Sequence, residues 1–202
     1  MNPVSESKRK YLAQFRLEAV SAGIPVIGPE AEEILVQTVR QIAPKKILEI
    51  GTAVGYSGSV MLAAAPPDCR LYTVEIDETR VREARRRFDE QNFSGRVTVY
   101  EGDANEIVPC LTGSYDLILL DGPKGQYLHY LPCLYGVLVQ GGALVCDNLD
   151  FHGMVTDRDC GHKNRTLRVN LLAFRRQLEA FPGLRTAFYA VGDGVSVSVK
   201  TR

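Results

Sequence analysis

Five places along this 202-residue chain carry side chains suited to chemistry, and each closes a short β-rich run. The first is Glu49-Ile50-Gly51-Thr52-Ala53-Val54-Gly55-Tyr56-Ser57-Gly58, at the end of KILEI. Glycines at a strand-to-helix turn let a ligand approach the backbone, and the helix that follows offers free N–H groups. The spacing is G-x-x-x-G, not the G-x-G-x-x-G of dinucleotide binders. The second is Glu75, closing RLYTVE, where a carboxylate can accept from both hydroxyls of a ribose. The third is Gly102-Asp103, where a polar side chain can meet a purine edge. Singly these read as a tight turn, a solvated acid and a loop. At successive strand ends they point to a nucleoside site, because ligands of open parallel sheets sit at the carboxyl ends of the strands.

The fourth and fifth places are Asp121-Gly122-Pro123-Lys124-Gly125 and Asp147-Asn148, on the same rim. Two carboxylates and an amide oxygen make a hard-oxygen site suited to Mg²⁺, with water and substrate completing the shell. Lys124, buried beside a dication, has reason to lose its proton and act as a base. The plainer alternative is that Asp147 caps a helix, Asp121 begins a turn, and Lys124 is a surface lysine paired with Asp121.

The elements that must position these residues alternate. Strands are expected at Lys46–Ile50, Arg70–Glu75, Arg96–Tyr100, Tyr115–Leu120 and Ala143–Cys146. Helices are expected near Ser57–Ala65, Thr79–Asn92, Ala104–Cys110 and Gln126–Val139. That alternation predicts βαβ units and a parallel sheet, and runs such as LILL suit strands covered on both faces. Further on, Lys163–Ala180 places Leu167, Leu171, Phe174 and Leu178 on one helical stripe. Phe181-Pro182-Gly183 stops it, and strands follow at Arg185–Val191 and Val195–Lys200. Gly192-Asp193-Gly194 joins them as a hairpin, so the last strand should run antiparallel. Upstream, helices near Val4–Ala22 and Pro29–Ile42, separated by Gly23-Ile24-Pro25, make residues 1–43 a helical extension packed on the core of a single domain, 1–202. Seven strands, mostly parallel with an antiparallel last strand and helices on both faces, is the expected α/β Rossmann-like fold.

Composition narrows the class. Forty-five per cent hydrophobic and 24% charged residues are ordinary globular values. Lys+Arg 24 against Asp+Glu 24 leaves no net charge, so the chain as a whole is no polycation for nucleic acid. No apolar run reaches the ~18 residues of a membrane span, and the opening lacks a signal-peptide stretch, so a soluble cytoplasmic protein is expected. The cysteines (Cys69, Cys110, Cys133, Cys146, Cys160) are odd in number and form no CxxC, which argues against a disulfide framework or a Cys-rich zinc site. Cys146 reads as a small buried residue. His129, His152 and His162 show no ligand spacing; His152 lines an acceptor pocket or is a plain loop histidine. Tyr127 and Tyr130 stack on an acceptor ring or pack their helix. Thr79–Arg87 is basic but offset by neighbouring acids, a salt-bridged surface helix. From Phe151 to Arg176, however, Arg158, Lys163, Arg165, Arg168, Arg175 and Arg176 face only Asp157 and Asp159. That basic segment either flanks the acceptor pocket and contacts phosphates or is a solvated helix face.

The strings ILEIGTAVGYS, YTVEID, GDA, LILLDGPKGQY, GGALVCDNLDFHGMV and GDGVSVSVK resemble the metal-dependent O-methyltransferases related to catechol and caffeoyl-coenzyme A O-methyltransferases. The likeness runs from about Ile24 onward. KGQY and the segment DRDCGHKNRTLRVNLLAF most resemble the bacterial tRNA 5-hydroxyuridine methyltransferases. The resemblance implies that Glu49, Gly51, Gly55 and Ser57 surround the methionine part of S-adenosylmethionine. It places Glu75 on the ribose, and Asp103 and Ala104 along the adenine, with Asp121 touching both cofactor and metal. Asp121, Asp147 and Asn148 would hold Mg²⁺, or another divalent cation such as Mn²⁺ or Ca²⁺, with Lys124 the base. It also implies a homodimer, and tRNA as a partner through residues 158–176. Two features depart from the relatives: no late glutamate that grips a second catechol hydroxyl stands near Gly192–Ser196, and the plant enzymes' substrate-recognition insertion is missing. Methylation of a small catechol-like phenol is the nearest alternative. A nicotinamide oxidoreductase conflicts with the glycine spacing, and a non-catalytic RNA-binding module has no need of the paired aspartates.

Overall fold

The computed structural model describes residues 5–150 and 161–201. Seven strands form one sheet: β1 (Lys46–Ile50), β2 (Arg70–Glu75), β3 (Val97–Glu101), β4 (Tyr115–Leu120), β5 (Leu138–Cys146), β6 (Leu184–Tyr189) and β7 (Val195–Lys200). Their order is β3-β2-β1-β4-β5-β7-β6. The pairs among β1 to β5 are parallel, and β7 runs antiparallel to both β5 and β6. Strand order reverses between β1 and β4, which opens a crevice at their carboxyl ends.

Successive residues of the central strands face opposite layers, and both layers are apolar. Ile47, Leu117 and Leu119 pack with α1 (Glu6–Ser21), α2 (Pro29–Ile42), α3 (Tyr56–Ala64) and α4 (Glu78–Glu90). Leu48, Ile118 and Leu120 pack with α5 (Ala104–Cys110), α6 (Tyr127–Val137) and α7 (Gly161–Ala180). Burial on both faces explains why these strands carry no polar alternation. The N-terminal extension shares this packing: Phe15 of α1 and Leu35 of α2 sit in the same cluster as Met61 of α3. Arg87 of α4 fixes α1 from outside, reaching Glu18 at 2.7 Å and lying 4.4 Å from the centre of the Phe15 ring. The charges of α4 pair as expected, Arg86 with Glu83 and Glu90, and Arg82 with Glu78.

Most elements shift by one or two residues at an end from the sequence expectation, and three of the differences have a local cause or change a connection. β5 begins at Leu138, where a helix was expected to run to Val139. Gly141 takes φ +77°, and a Cβ on Gly142 would stand 2.8 Å from the Asp116 carbonyl. The glycine pair therefore lets β5 bulge between Leu138 and Ala143 while it stays paired with β4. β6 stops at Tyr189, so residues 190–194 make a five-residue connection in place of the three-residue joint. β3 starts one residue late because residues 94–96 form a 3₁₀ turn.

Cys69, Cys110, Cys133 and Cys146 are free thiols. Among the described residues no helix is long and apolar enough to cross a membrane. His152, Arg158 and Cys160 lie outside the described residues, as do the side chains of His162 and Lys163.

Leu171, Phe174 and Leu178 of α7 are all buried, and Phe174 meets the Tyr127 ring edge-on at 5.3 Å. Tyr127 in turn donates its hydroxyl toward the Leu120 and Asp147 carbonyls, at 3.2 and 3.4 Å. Phe174→Ala should therefore cost about 3–5 kcal/mol of unfolding free energy in urea titration. A loss below about 1 kcal/mol would mean α7 is not anchored here.

Candidate active site

A cavity of ≈ 760 Å³ opens at the carboxyl ends of β1 to β5. Of the residues singled out from sequence, Gly51, Ser57, Glu75, Asp103, Ala104, Asp121, Lys124, Asp147 and Asn148 line it. Glu49 and Gly55 do not. Sequence reasoning missed Pro25, Val26 and Ile27 between α1 and α2, Thr52, Ala53 and Tyr56 on the glycine loop, Ile76, Arg80 and Asn105 at the β2 and β3 ends, and Asp193 on the β6–β7 connection.

Gly51 is where glycine is indispensable. It holds φ +102°, and a Cβ there would stand 2.4 Å from the Asp121 carbonyl oxygen. The ends of β1 and β4 can close on each other only without a side chain between them. Asp121 N–H then donates to the Ile50 carbonyl at 3.0 Å, which seats the acid on the rim. Gly55 also has positive φ, but its missing Cβ faces Phe88 and Ala84, so it serves the packing of α3 on α4. The loop ends at the amino terminus of α3, whose first N–H groups have no partner within the helix.

Glu49 stands beneath the loop, not beside the cavity. It is 0% exposed, and its two oxygens accept from Ser57 Oγ at 2.5 Å and Thr73 Oγ1 at 2.6 Å. Thr73 Oγ1 also lies 2.5 Å from Thr52 Oγ1. With the Thr73 proton committed to Glu49, Thr52 must donate to Thr73. Ser57 and Thr52 thus turn oxygen lone pairs, not protons, toward the cavity. Burial pushes the Glu49 carboxyl up to about 7, with Ser57 and Thr73 opposing and the charges of Asp121 and Glu75 adding.

Glu75 is held by three backbone donors: Ala53 N–H on one oxygen at 2.8 Å, and Ile76 and Asp77 N–H on the other at 3.1 and 3.0 Å. Asp103 caps α5, its Oδ1 accepting from Asn105 N–H at 2.8 Å and Asn105 Nδ2 at 2.9 Å. Tyr130 donates to Asn105 Oδ1 at 2.9 Å. Tyr127 and Tyr130 are both buried, so they pack and orient from within the core.

The acidic side of the cavity holds like charges together. Burial, then the neighbouring Asp147 charge, pushes the Asp121 carboxyl up to about 7, and Lys124 pulls against that shift. Lys124 Nζ is 3.8 Å from Asp121 Oδ1. Asp147 is raised mainly by burial, opposed by Asn148 N–H and by Lys124, with Asp193 adding to the rise. Its Oδ1 accepts that N–H at 2.7 Å, which accompanies a left-handed Asn148 at φ +58°. Asp193 is held in place by two backbone bonds beside it, Asp150 N–H to its carbonyl at 2.6 Å and Leu149 N–H to Gly194 at 2.9 Å. Two aspartates with an amide are an oxygen-only donor set of the kind that suits a hard divalent ion.

A switch-point crevice lined by a glycine loop, an acid closing β2 and an acidic rim is the architecture of a Rossmann-like enzyme domain. Residues 3–201 match the O-methyltransferase family model, and the chain belongs to that family. A catechol O-methyltransferase of Niastella koreensis is 31% identical over 144 residues, covering 68% of this chain and 65% of its own length. The chain spans about half the length of the transmembrane O-methyltransferases it also matches. Among solved structures, a Staphylococcus aureus protein named as a caffeoyl-CoA O-methyltransferase superposes with a TM-score of 0.87 at 27% identity, covering 94% of this chain and 91% of that one. An O-methyltransferase of Streptomyces achromogenes involved in tomaymycin synthesis, solved with S-adenosylmethionine, gives 0.82 at 25% identity, covering 98% and 91%.

Gly51→Ala should separate β1 from β4 and weaken binding of S-adenosylhomocysteine at least about tenfold, because it distorts the loop and the Asp121 seat together. Calorimetry on the folded variant checks this; unchanged affinity would show that the close approach is dispensable.

Proposed function

We propose that this chain transfers the methyl group of S-adenosylmethionine to a hydroxyl oxygen, with a divalent cation, Mg²⁺ or a similar ion, on the acidic rim. The observation that carries the reading is the placement of half-buried Asp121 and buried Asp147, beside Lys124, in the cavity that also holds Glu75 and the glycine loop. In this reading Glu75 accepts from the ribose hydroxyls, and the second oxygen of Asp103 accepts from the adenine amine while Ala104 flanks the ring. The methionine carboxylate meets the N–H groups opening α3. Its ammonium donates to the lone pairs of Ser57 and Thr52, whose polarity Glu49 sets from below.

Asp121, Asp147 and Asn148 would hold the cation, which lowers the acceptor hydroxyl's pKa and orients it. Lys124, paired with Asp121 as an ammonium while the cation is absent, would lose its own proton beside the dication, and its Nζ would then take the hydroxyl proton. The acceptor oxygen forms its bond to the methyl carbon as the carbon–sulfur bond breaks, and that electron pair stays on sulfur, leaving S-adenosylhomocysteine. The sulfonium methyl is already activated, so alignment is the remaining requirement.

The acceptor we favour is 5-hydroxyuridine in tRNA. Arg165, Arg168 and Arg176 lie along α7, which packs on the turn carrying Lys124; Asn170 Nδ2 is 3.5 Å from the Gly125 carbonyl. Arg175 is less available, stacked 5.1 Å from the Phe188 ring centre. A small catechol-like phenol is the second reading, and Asp193 favours it: a carboxylate on the cavity wall near Asp147 can accept from a second hydroxyl, a role for which sequence reasoning found no candidate. The family reading also makes the protein a cytoplasmic homodimer, which would cover the exposed Leu17 and Val20 of α1.

Chelation should abolish methyl transfer, and Mg²⁺ or Mn²⁺ should restore it; full activity in excess EDTA would refute the cation. The pH dependence has a definite sign. With Asp121 raised to about 7, the metal-free fold keeps a proton that the unfolded chain has already released, so its stability falls as pH climbs from the ordinary carboxylate range through about 7. Metal must displace that proton, so thermal stabilisation by Mg²⁺ should be larger at pH ~8 than at pH ~6.

The acceptor is decided with labelled cofactor. Arg165→Ala with Arg168→Ala should raise the apparent KM for hydroxyuridine-containing tRNA and reduce its salt slope by about one unit per lost phosphate contact, while sparing any phenol methylation. Transfer to a phenol with none to that tRNA would decide for the alternative.

A further inference from the structure

Three residues far apart in sequence meet against the glycine loop. Tyr56, the first residue of α3, donates its hydroxyl to Glu32 Oε2 of α2 at 2.7 Å and accepts from Arg16 Nε of α1 at 3.1 Å. Arg16 pairs with the same Glu32 oxygen, and its guanidinium lies 4.9 Å from the centre of the Tyr56 ring. Phe15 closes the other side of the ring edge-on at 5.4 Å. Burial and the Glu32 acceptor raise the Tyr56 hydroxyl far above its ordinary range, so it remains a donor. Tyr56 is 3% exposed yet lines the cavity; Arg16 and Glu32 do not line it.

The geometry around this triad extends to both ends of the cleft. Pro25, Val26 and Ile27, which join α1 to α2, form cavity wall. Glu30, in the same first turn of α2 as Glu32, accepts from Gly192 N–H at 3.1 Å, on the connection that carries Asp193. Arg16 and Glu32 reach the glycine loop only from behind, so they can act on a ligand there by fixing the loop's conformation.

We infer that the α1–α2 pair is a positioning strap for the cofactor, in which Arg16 and Glu32 act through the Tyr56 hydroxyl to hold the start of α3 against the methionine end of the ligand. The inference rests on the proposed placement of S-adenosylmethionine in this cavity. Arg16 and Glu32 are positioning residues, not catalytic ones, since they touch neither the ligand nor the reacting atoms. Removing the hydroxyl should free the α3 amino terminus to shift, and the penalty should fall on the amino-acid end of the cofactor. The adenosine end is held separately by Glu75 and Asp103.

The test compares two ligands by calorimetry on the full chain, at a temperature where circular dichroism shows each variant folded. S-adenosylhomocysteine carries the amino-acid end, and 5′-methylthioadenosine lacks it. Tyr56→Phe and Arg16→Met should each raise the Kd for S-adenosylhomocysteine about five- to tenfold. Their double variant should be no weaker than the worse single one, Arg16→Lys should recover part of the loss, and 5′-methylthioadenosine affinity should stay within about twofold. Equal weakening of both ligands would mean a merely structural contact and would overturn the inference, as would unchanged S-adenosylhomocysteine affinity. Should Arg16→Met fail to fold, Tyr56→Phe, which removes a single oxygen, carries the test alone. Failure of the wild-type chain to bind S-adenosylhomocysteine would overturn the functional reading and the strap with it.

Discussion

Buried Asp147 and half-buried Asp121 share one rim of the sheet, and that electrostatic constraint organises the rest of the site. Two carboxylates drawn partly out of water repel, and the pKa of each is raised, so a neighbouring positive charge favours their ionised forms. The fold accepts this cost by construction. Parallel pairing of β4 with β5 sets the two acids on adjacent strand ends, and Gly51 lets β1 close on β4 so that Asp121 keeps its backbone bond to Ile50. Tyr127 reaches both acid-bearing ends from inside α6, and α7 backs that tyrosine with Phe174. Lys124 opposes the rise at both acids, and the proposed cation would relieve the rest.

The two halves of the cleft differ in how they are held. On the nucleoside side the polar groups are locked by short local bonds: three N–H groups on Glu75, the α5 cap on Asp103, and hydroxyls fed into Glu49. On the acidic side the groups come from distant parts of the chain and are balanced by charge. The proposed chemistry uses the contrast, since a fixed methyl donor and a charge-tuned acceptor oxygen are its two requirements.

Much of this was legible in the residues because a parallel sheet writes its site at strand ends. Apolar runs followed by Gly, Glu or Asp marked the ends of β1 to β5, and nine of the eleven residues chosen there line the cavity. Glu49 sits in the same string as the glycines but does not line the cavity. Strand parity held the missing signal, for Glu49 shares a face with Ile47 and both point into the α1–α4 layer. Asp193 was visible as the middle of Gly-Asp-Gly, but hairpin logic alone does not say which ends of the sheet the hairpin abuts. The Arg16–Glu32–Tyr56 contact joins residues 16 to 40 positions apart, and no local pattern encodes a meeting of three helices. The start of β5 was hidden because Gly141-Gly142 reads as a break, whereas here it makes a bulge.

The central claim is that the acidic rim is a cation site, and Mn²⁺ titration followed by electron paramagnetic resonance reads it directly. One Mn²⁺ should bind per chain near neutral pH, competed by Mg²⁺, and Asp147→Ala should return the ion to the free signal. Mn²⁺ that stays free with the wild-type protein, or binds equally to Asp147→Ala, would contradict the account.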